Sequence, residues 1–309
     1  MRIVFFGTPD FAVPSLHRLV KSGHEVIAVV TQPDRPAGRK RQLRESSVKL
    51  VAQELEVPLQ QPDEITDPTF LKWLKDLQAD IGVVVAFTIL PEDVYNIPKH
   101  GCINLHASLL PDLRGAAPIT HALFRGYDVT GLTTFKIEKK VDTGGILLQQ
   151  NVIVMPEDNH GTLSRRMSHL GADLILSTVD QLRAGALEPS KQQGVASLAP
   201  KIERETCRID WSKTSPEIHN LVRGLSPQPG AFTTYNGKTL KIYTTSLSRL
   251  LMRKGEPGSV VVTEAGKMMV KTGKGVIEIL ELQLEGRNTL ETTEFLKGFQ
   301  IPAGTRFGD

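Results

Sequence analysis

The sequence predicts an α/β chain in which a mostly parallel sheet is covered by helices on both faces and followed by a smaller β-barrel. Three observations carry this. Apolar, β-branched runs alternate with helix-periodic stretches through residues 1–189. Residues 190–205 are polar and aperiodic, as in a linker. Residues 206–309 then offer about five short strand candidates separated by turns, which suits a small OB-like barrel.

The elements follow in order. "RIVFFG" reads as a buried strand, "PSLHRLVKSG" as a helix stopped by Gly23, and "HEVIAVVTQ" as a second strand. A helix is expected near Ser46 to Glu56. Another is expected at "DPTFLKWLKDLQ", where Asp67 caps and Pro68 occupies the first helical position. "DIGVVVAF" and "CINLHAS" continue the sheet, "AAPITHALFRG" is helical, and "TGLTTFKIE" and "GGILLQQNVIVMP" are later strands. An amphipathic pattern from Gly161 to Leu187 closes this part. In the last third "SPEIHNLVRGL" is helical, and Asn236-Gly237 marks a hairpin between "AFTTY" and "KTLKIYTTSL".

Composition narrows the function classes. With 309 residues, 40% of them hydrophobic, the chain can bury one large core or two ordinary ones. No run approaches the roughly 18 apolar residues of a membrane span, and a strand stands where a leader would lie, so a cytoplasmic protein without membrane contact is expected. Cys102 and Cys207 are too few for a disulfide framework or zinc knuckle. Net charge is +3 but uneven: residues 201–309 hold 16 Lys and Arg against 12 Asp and Glu. A second basic zone lies at "DRPAGRKRQLR", with Arg35, Arg39, Lys40, Arg41 and Arg44. Such a cluster often is only a solvated loop, but two basic zones on a near-neutral chain suit a polyanion laid across both, nucleic acid being the commonest.

Three places carry candidate chemistry. "FFGTPDF" sits at the first strand-to-helix turn but holds only Gly7, so a pyrophosphate cradle is unsupported. In "CINLHAS" strand alternation puts Cys102, Asn104 and His106 on one face. The α-carbons of Asn104 and His106 then lie roughly 6 to 7 Å apart, and Cys102 roughly 13 Å from His106, which favours an Asn–His site over a Cys–His nucleophilic pair. A lone histidine is commonly structural; at the carboxyl end of a strand in an open α/β sheet it stands where ligands bind. Asp142, in the loop "KKVDTGGIL", is either a turn former or the group that orients the imidazole. His100 and His121 flank the pair without ligand spacing, and no metal is expected.

Taken together, "GTPDFAVPSL", "TQPDRPAGR", "CINLHASLLPDLRGAAPI", "TGLTTFKIEKKVDTGGIL" and "RIDWS" make the chain resemble the methionyl-tRNA formyltransferases, within the folate-dependent formyltransferases, over essentially its whole length. Two departures from the family pattern are Asp112-Leu113, where Arg-Trp is usual, and Thr88 in place of a usual Gly. The resemblance implies a Rossmann-like catalytic domain (1–189) and an OB-like tRNA-binding domain (206–309). It implies transfer of formyl from the cosubstrate 10-formyltetrahydrofolate to the α-amino group of methionyl initiator tRNA for translation initiation, by a monomer. Carried over by position, the catalytic residues are Asn104, His106 and Asp142. Ser108, Leu109, Leu110 and Pro111 line the folate site, with Phe87 and Leu90 of "VVAFTILP" forming an apolar wall, and Arg39, Lys40, Arg41 and Arg44 approach tRNA.

The chemistry agrees with that carry-over. An amine attacking a formyl carbon generates an oxyanion, for which Asn104 and His106 are both potential donors. His106 is also a candidate acceptor of the amine's proton, with Asp142 favouring the imidazolium. Two rivals stand beside this reading: a folate-dependent formyltransferase acting on a small amine such as a nucleotide sugar, and a non-catalytic RNA-binding module on an enzyme-like fold.

Overall fold

The structure is a computed structural model that describes residues 1–37, 42–249, 255–262, 266–302 and 304–308. The chain forms two compact units. The first comprises residues 1–118, 129–153 and 164–199, and the second residues 119–128, 154–163 and 200–309.

In the first unit, seven strands form one sheet in the order β5-β2-β1-β6-β7-β8-β9, which are Leu59–Gln60, Glu25–Val30, Arg2–Gly7, Ile81–Val85, Cys102–His106, Val129–Lys136 and Ile146–Ile153. The ladders from β5 through β7 are parallel, while β7–β8 and β8–β9 are antiparallel. β1 and β6 are almost wholly buried, as strands covered on both faces must be. On one face Val4, Phe6, Ala28, Val30, Val84 and Cys102 pack with Phe70 and Leu74 of α3 (Pro68–Asp76) and with Val94 and Tyr95 of α4 (Glu92–Tyr95). Asp67 caps α3 as expected, its Oδ1 accepting from the N–H groups of Thr69 and Phe70 at 2.8 and 3.1 Å. α2 (Ser47–Glu54) is capped likewise by Ser46, which accepts from Lys49 N at 3.0 Å.

The opposite face receives α6 (His160–Arg183), whose Gly171 approaches β7 so closely that a Cβ there would stand 2.5 Å from Leu105 Cδ2. Thr178 of the same helix bonds Thr134 of β8, hydroxyl to hydroxyl, at 2.9 Å. Residue 105 therefore locks onto the helix while residues 104 and 106 face the other way, which fixes the orientation of the Asn–His pair.

The helix α1 (Val13–Val20) ends on a right-handed residue, Lys21, whose N–H reaches back to His17 O at 3.1 Å. Gly23 lies beyond it and its φ is not positive, so the expected glycine stop is replaced by a short turn.

The second unit contains α7 (Ser215–Leu225) and an antiparallel sheet in the order β10-β11-β14-β13-β12: Ala231–Tyr235, Lys238–Ser248, Val276–Leu284, Met268–Lys271 and Val260–Val262. A two-residue strand, β15 (Leu290–Glu291), adds to β14. All five main strands feed one core, from Ala231 and Tyr235 through Leu240, Ile242, Val260, Met268, Val270, Ile277 and Leu284, as in a small barrel. The β10–β11 turn carries Asn236 and Gly237 at φ +50° and +70°, as a two-residue primed hairpin requires. A full capping box starts α7: Thr214 accepts from the Glu217 backbone, and the Glu217 carboxylate accepts from Thr214 N.

Three segments depart from the expected division. Residues 119–128 and 154–163 belong to the second unit: Phe124 packs on its core, and Gly161 N donates to Ser226 O at 3.1 Å. Residues 190–199, expected as linker, belong to the first unit. Ser190 exchanges backbone bonds with Ile146 at 2.7 and 2.8 Å, and Ala199 N donates to Arg114 O at 2.7 Å.

Candidate active site

The site grows from the carboxyl end of β7. Asn104 is paired in register with Val84 of β6 and Phe135 of β8, and His106 with Thr133, so the strand ladders set the spacing of the two side chains. Asn104 is half-buried, and its amide has no hydrogen-bond partner among the described residues. His106 is buried, at 5% exposure.

The imidazole's two nitrogens have distinct surroundings. Nε2 lies 2.9 Å from Leu113 O. A carbonyl can only accept, so Nε2 carries a proton and Nδ1 is the nitrogen left to exchange one. Nδ1 faces Asp142 Oδ2 at 3.7 Å. The same Oδ2 accepts from Gly115 N at 2.8 Å, and the Asp142 side chain is 10% exposed. Histidine and aspartate, 36 positions apart in sequence, are thus brought together.

The loops that hold this pair are tightly cross-bonded. Ser108 Oγ donates to Asp112 O at 2.5 Å. Thr133 Oγ1 donates to Ser108 O at 2.7 Å and accepts from Leu110 N at 3.1 Å, while Gln149 Nε2 donates to Leu110 O and to Thr133 Oγ1 at 3.0 and 2.9 Å. A cis peptide joins Leu110 to Pro111. Leu113 N donates to Ser197 Oγ at 3.0 Å, and Ser197 also bonds the Asp112 carboxylate. In the Asp142 loop, Gly144 passes so near β8 that a Cβ would lie 1.7 Å from Lys136 O. Three non-glycine residues of loops next to the sheet strands, Ala86 after β6, Leu113 after β7 and Asp142 between β8 and β9, have φ of +48°, +58° and +53°, the backbone strain that gathers at functional sites.

The remaining expected residues divide. Leu109, Pro111 and Phe87 are half-buried, and Phe87 stacks at a tilt on Phe6 with ring centroids 5.8 Å apart. Ser108, Leu110 and Leu90 are buried, Leu90 within the core beside Val84 and Val94. Arg39, Lys40 and Arg41 lie outside the described residues. Arg44 sits on β4 (Gln42–Arg44), which pairs antiparallel with β3 (Arg35–Ala37) and opposes Arg35. At the base of that hairpin Lys49 joins Asp34 and Glu45 at 2.5 and 2.8 Å, and these bonds hold the Asp34 carboxyl below its usual range and the Lys49 amine above its own. Cys102 is buried, which pushes its thiol up to about 12, so it is an inert core residue. Among the described residues no three His, Cys, Asp or Glu side chains gather as a metal-binding group.

Residues 1–179 match the formyl transferase family model, and residues 201–300 match its C-terminal domain. The methionyl-tRNA formyltransferase of Geobacter sulfurreducens is 44% identical over 311 residues, covering 100% of this chain and 97% of that one. The chain belongs to the methionyl-tRNA formyltransferase family. Among solved structures, methionyl-tRNA formyltransferase from Clostridium thermocellum aligns with a TM-score of 0.58 at 16% identity, over 92% of this chain and 98% of that one. HypX from Aquifex aeolicus in complex with tetrahydrofolic acid aligns with a TM-score of 0.67 at 18% identity, over 98% of this chain but 48% of that one. These two likenesses establish the shared fold. The chain is a formyl transferase with a mostly parallel α/β sheet in one unit and an antiparallel sheet in the other.

The sequence singles out the Asn–His pair and Asp142, and the structure brings His106 and Asp142 together; it does not single out Leu113 O, Gly115 N, Thr133, Gln149, Gln192 or Ser197, which hold them. Backbone groups leave no trace in a sequence. Gln192 and Ser197 fall in a polar tract with no spacing signal.

Proposed function

We propose that this formyl transferase moves the formyl group of 10-formyltetrahydrofolate to the α-amino group of methionine on initiator tRNA, giving N-formylmethionyl-tRNA for translation initiation. One observation carries the chemistry: His106 is held with Nδ1 toward Asp142 and its other nitrogen committed to a carbonyl, beside an Asn104 amide with unspent donors. The choice of acceptor is supported by 44% identity along the whole chain to proteins named for that activity.

In this reading the amine nitrogen attacks the formyl carbon, and the carbonyl electrons move to oxygen. Asn104 donates a hydrogen bond to that oxygen as it becomes anionic. The nitrogen's proton passes to His106 Nδ1, whose imidazolium is stabilised by Asp142 across 3.7 Å. Collapse of the intermediate breaks the carbon–nitrogen bond to folate, and the leaving nitrogen takes the proton back from Nδ1. His106 thereby serves both roles in turn, base first and donor second. The 108–111 loop and Phe87 are assigned to the folate side, and Arg39, Lys40, Arg41, Arg44 and the domain of residues 206–309 to tRNA.

Within the same reading the protein is a cytoplasmic monomer; among the described residues no helix is long and apolar enough to cross a membrane. The test is a transfer assay with 10-formyltetrahydrofolate and three acceptors: charged initiator tRNA, a free aminosugar nucleotide and glycinamide ribonucleotide. Formylation of the charged tRNA alone supports the assignment. Preferential formylation of a small amine, or of nothing, refutes it.

A further inference from the structure

Residues 190–199 fall between the two matched family regions, which end at residue 179 and begin at residue 201. Yet this stretch backs both loops that shape the site. Ser197 bonds the loop that presents Leu113 O to His106, and Gln192 bonds the loop that presents Asp142. We propose that Gln192 is a positioning residue for the Asp142 carboxylate, acting as a two-ended clamp between the Arg114-Gly115 turn and the 142–144 loop; this rests on the reading of Asp142 given above.

The geometry leaves little freedom in how the amide is used. Gln192 Oε1 accepts from Arg114 Nε and Nη2 at 3.2 and 2.6 Å. Gln192 Nε2 donates to Asp142 O and Gly144 O at 2.9 Å each. Arginine only donates and carbonyls only accept, so the amide's orientation is fixed and every close group at both of its ends is matched. Asp142 needs such a hold. Its backbone is left-handed at φ +53°, and its side chain spans from Gly115 N to His106 Nδ1. Arg114 and Gly115 are adjacent, so Gln192 ties the donor side of the Asp142 side chain to the backbone that carries it. The carboxylate is bonded from in front by Gly115 and its own main chain from behind by Gln192.

This chemistry predicts an unusual ranking of substitutions. In Gln192→Glu the shape and the Arg114 contact survive, but a carboxylate oxygen meets two carbonyl oxygens and repels the loop. In Gln192→Met both ends fall silent without repulsion. The test measures steady-state kcat and KM, single-turnover transfer and thermal melting for both variants, in the wild-type and Asp142→Asn backgrounds.

Expected is a fall in kcat of about 10- to 100-fold, larger for Glu than for Met, since displacing an orienting group by a fraction of an ångström to 1 Å costs in that range. KM for both substrates stays within about twofold. In the Asp142→Asn background the further loss shrinks below about threefold, because the group being positioned has already lost its charge. Melting temperatures separate this from unfolding, and Gln192→Met carries the test should Gln192→Glu not fold.

A kcat within about twofold of wild type in the folded Met variant overturns the inference, as does an undiminished loss in the Asp142→Asn background. A wild-type protein that transfers formyl to none of the three acceptors refutes the functional reading itself, and this inference with it.

Discussion

Asp142→Asn removes one charge and little else. The oxygen that accepts from Gly115 N at 2.8 Å is the one that faces His106 Nδ1 at 3.7 Å. Asparagine can keep an oxygen there and preserve the Gly115 bond, so the loop retains its shape. What is lost is attraction for the imidazolium formed during transfer. At that 3.7 Å separation, opposite unit charges in an effective dielectric of ~20 attract by about 4.5 kcal/mol. The amide dipole recovers part of this, leaving about 3 kcal/mol, or a roughly 10²-fold slower step. Rapid-quench single-turnover transfer to charged initiator tRNA, with the enzyme in excess, reads that step directly, and circular dichroism and melting confirm the fold. A variant within threefold of wild type would show that the imidazole never becomes charged next to this carboxylate, and would remove Asp142 from the mechanism.

Other consequences are equally open to measurement. Asn104→Ala should slow single-turnover transfer by about 10²- to 10³-fold, the usual effect of losing one oxyanion donor, with folate affinity barely changed; near-normal transfer would assign the oxyanion elsewhere. Replacing Arg39, Lys40, Arg41 and Arg44 with Gln should raise KM for tRNA, flatten its salt dependence and leave folate binding intact, whereas an unchanged salt slope would place the phosphate contacts on other residues. Stability should fall as pH drops from 7 to 5. Burial holds the His24, His160 and His219 imidazoles below their ordinary 6.5, with the amino terminus adding to the effect at His24 and Arg223 at His219. The unfolded chain therefore binds more protons in that window, and stability present above 6.5 is lost toward the lowered folded values. Urea midpoints at half-unit pH steps test this, and a flat profile between 5 and 7 would refute it.

The parts of the molecule legible in sequence are those whose cause is local. Val83 to Val85, Asp67-Pro68 and Asn236-Gly237 fix a buried strand, a helix start and a hairpin by residue type alone, and each appears where expected. Gly23 misled because a glycine near a helix end is a stop only where φ turns positive, and here the chain leaves through Lys21 instead. The division into units was less legible because it depends on burial at a distance. Phe124 reads as the apolar side of one helix, but the core it packs on is made by residues 207–307. The polar stretch 190–199 has no periodicity to reveal because its bonds run through backbone groups and polar side chains to partners 44 to 86 positions earlier.

The same contrast explains how the site is built. Asn104 and His106 ride on one strand between two neighbours, so their spacing follows from the strand rise, and the ladders on both sides maintain it without further help. Asp142 arrives on a loop between β8 and β9, where no ladder sets its position. A loop residue can hold a carboxylate against an imidazole only if other bonds replace the missing ladder. Gly115 N supplies one to the side chain, and Gln192 supplies one to the Asp142 carbonyl and another to Gly144 O. Gly144, where a Cβ would collide with Lys136 O, closes the loop onto the sheet. If loop placement rather than charge alone limits the reaction, Gly144→Ala should lower kcat as well as stability. Gly185→Ala, at a helix-end turn in the same unit with nothing within 4 Å of its Cβ but φ at +66°, should cost stability with kcat unchanged at a temperature where both variants are folded. Equal kcat for the two variants would mean that the sheet edge tolerates a displaced loop, and that the carboxylate finds the imidazole without being held.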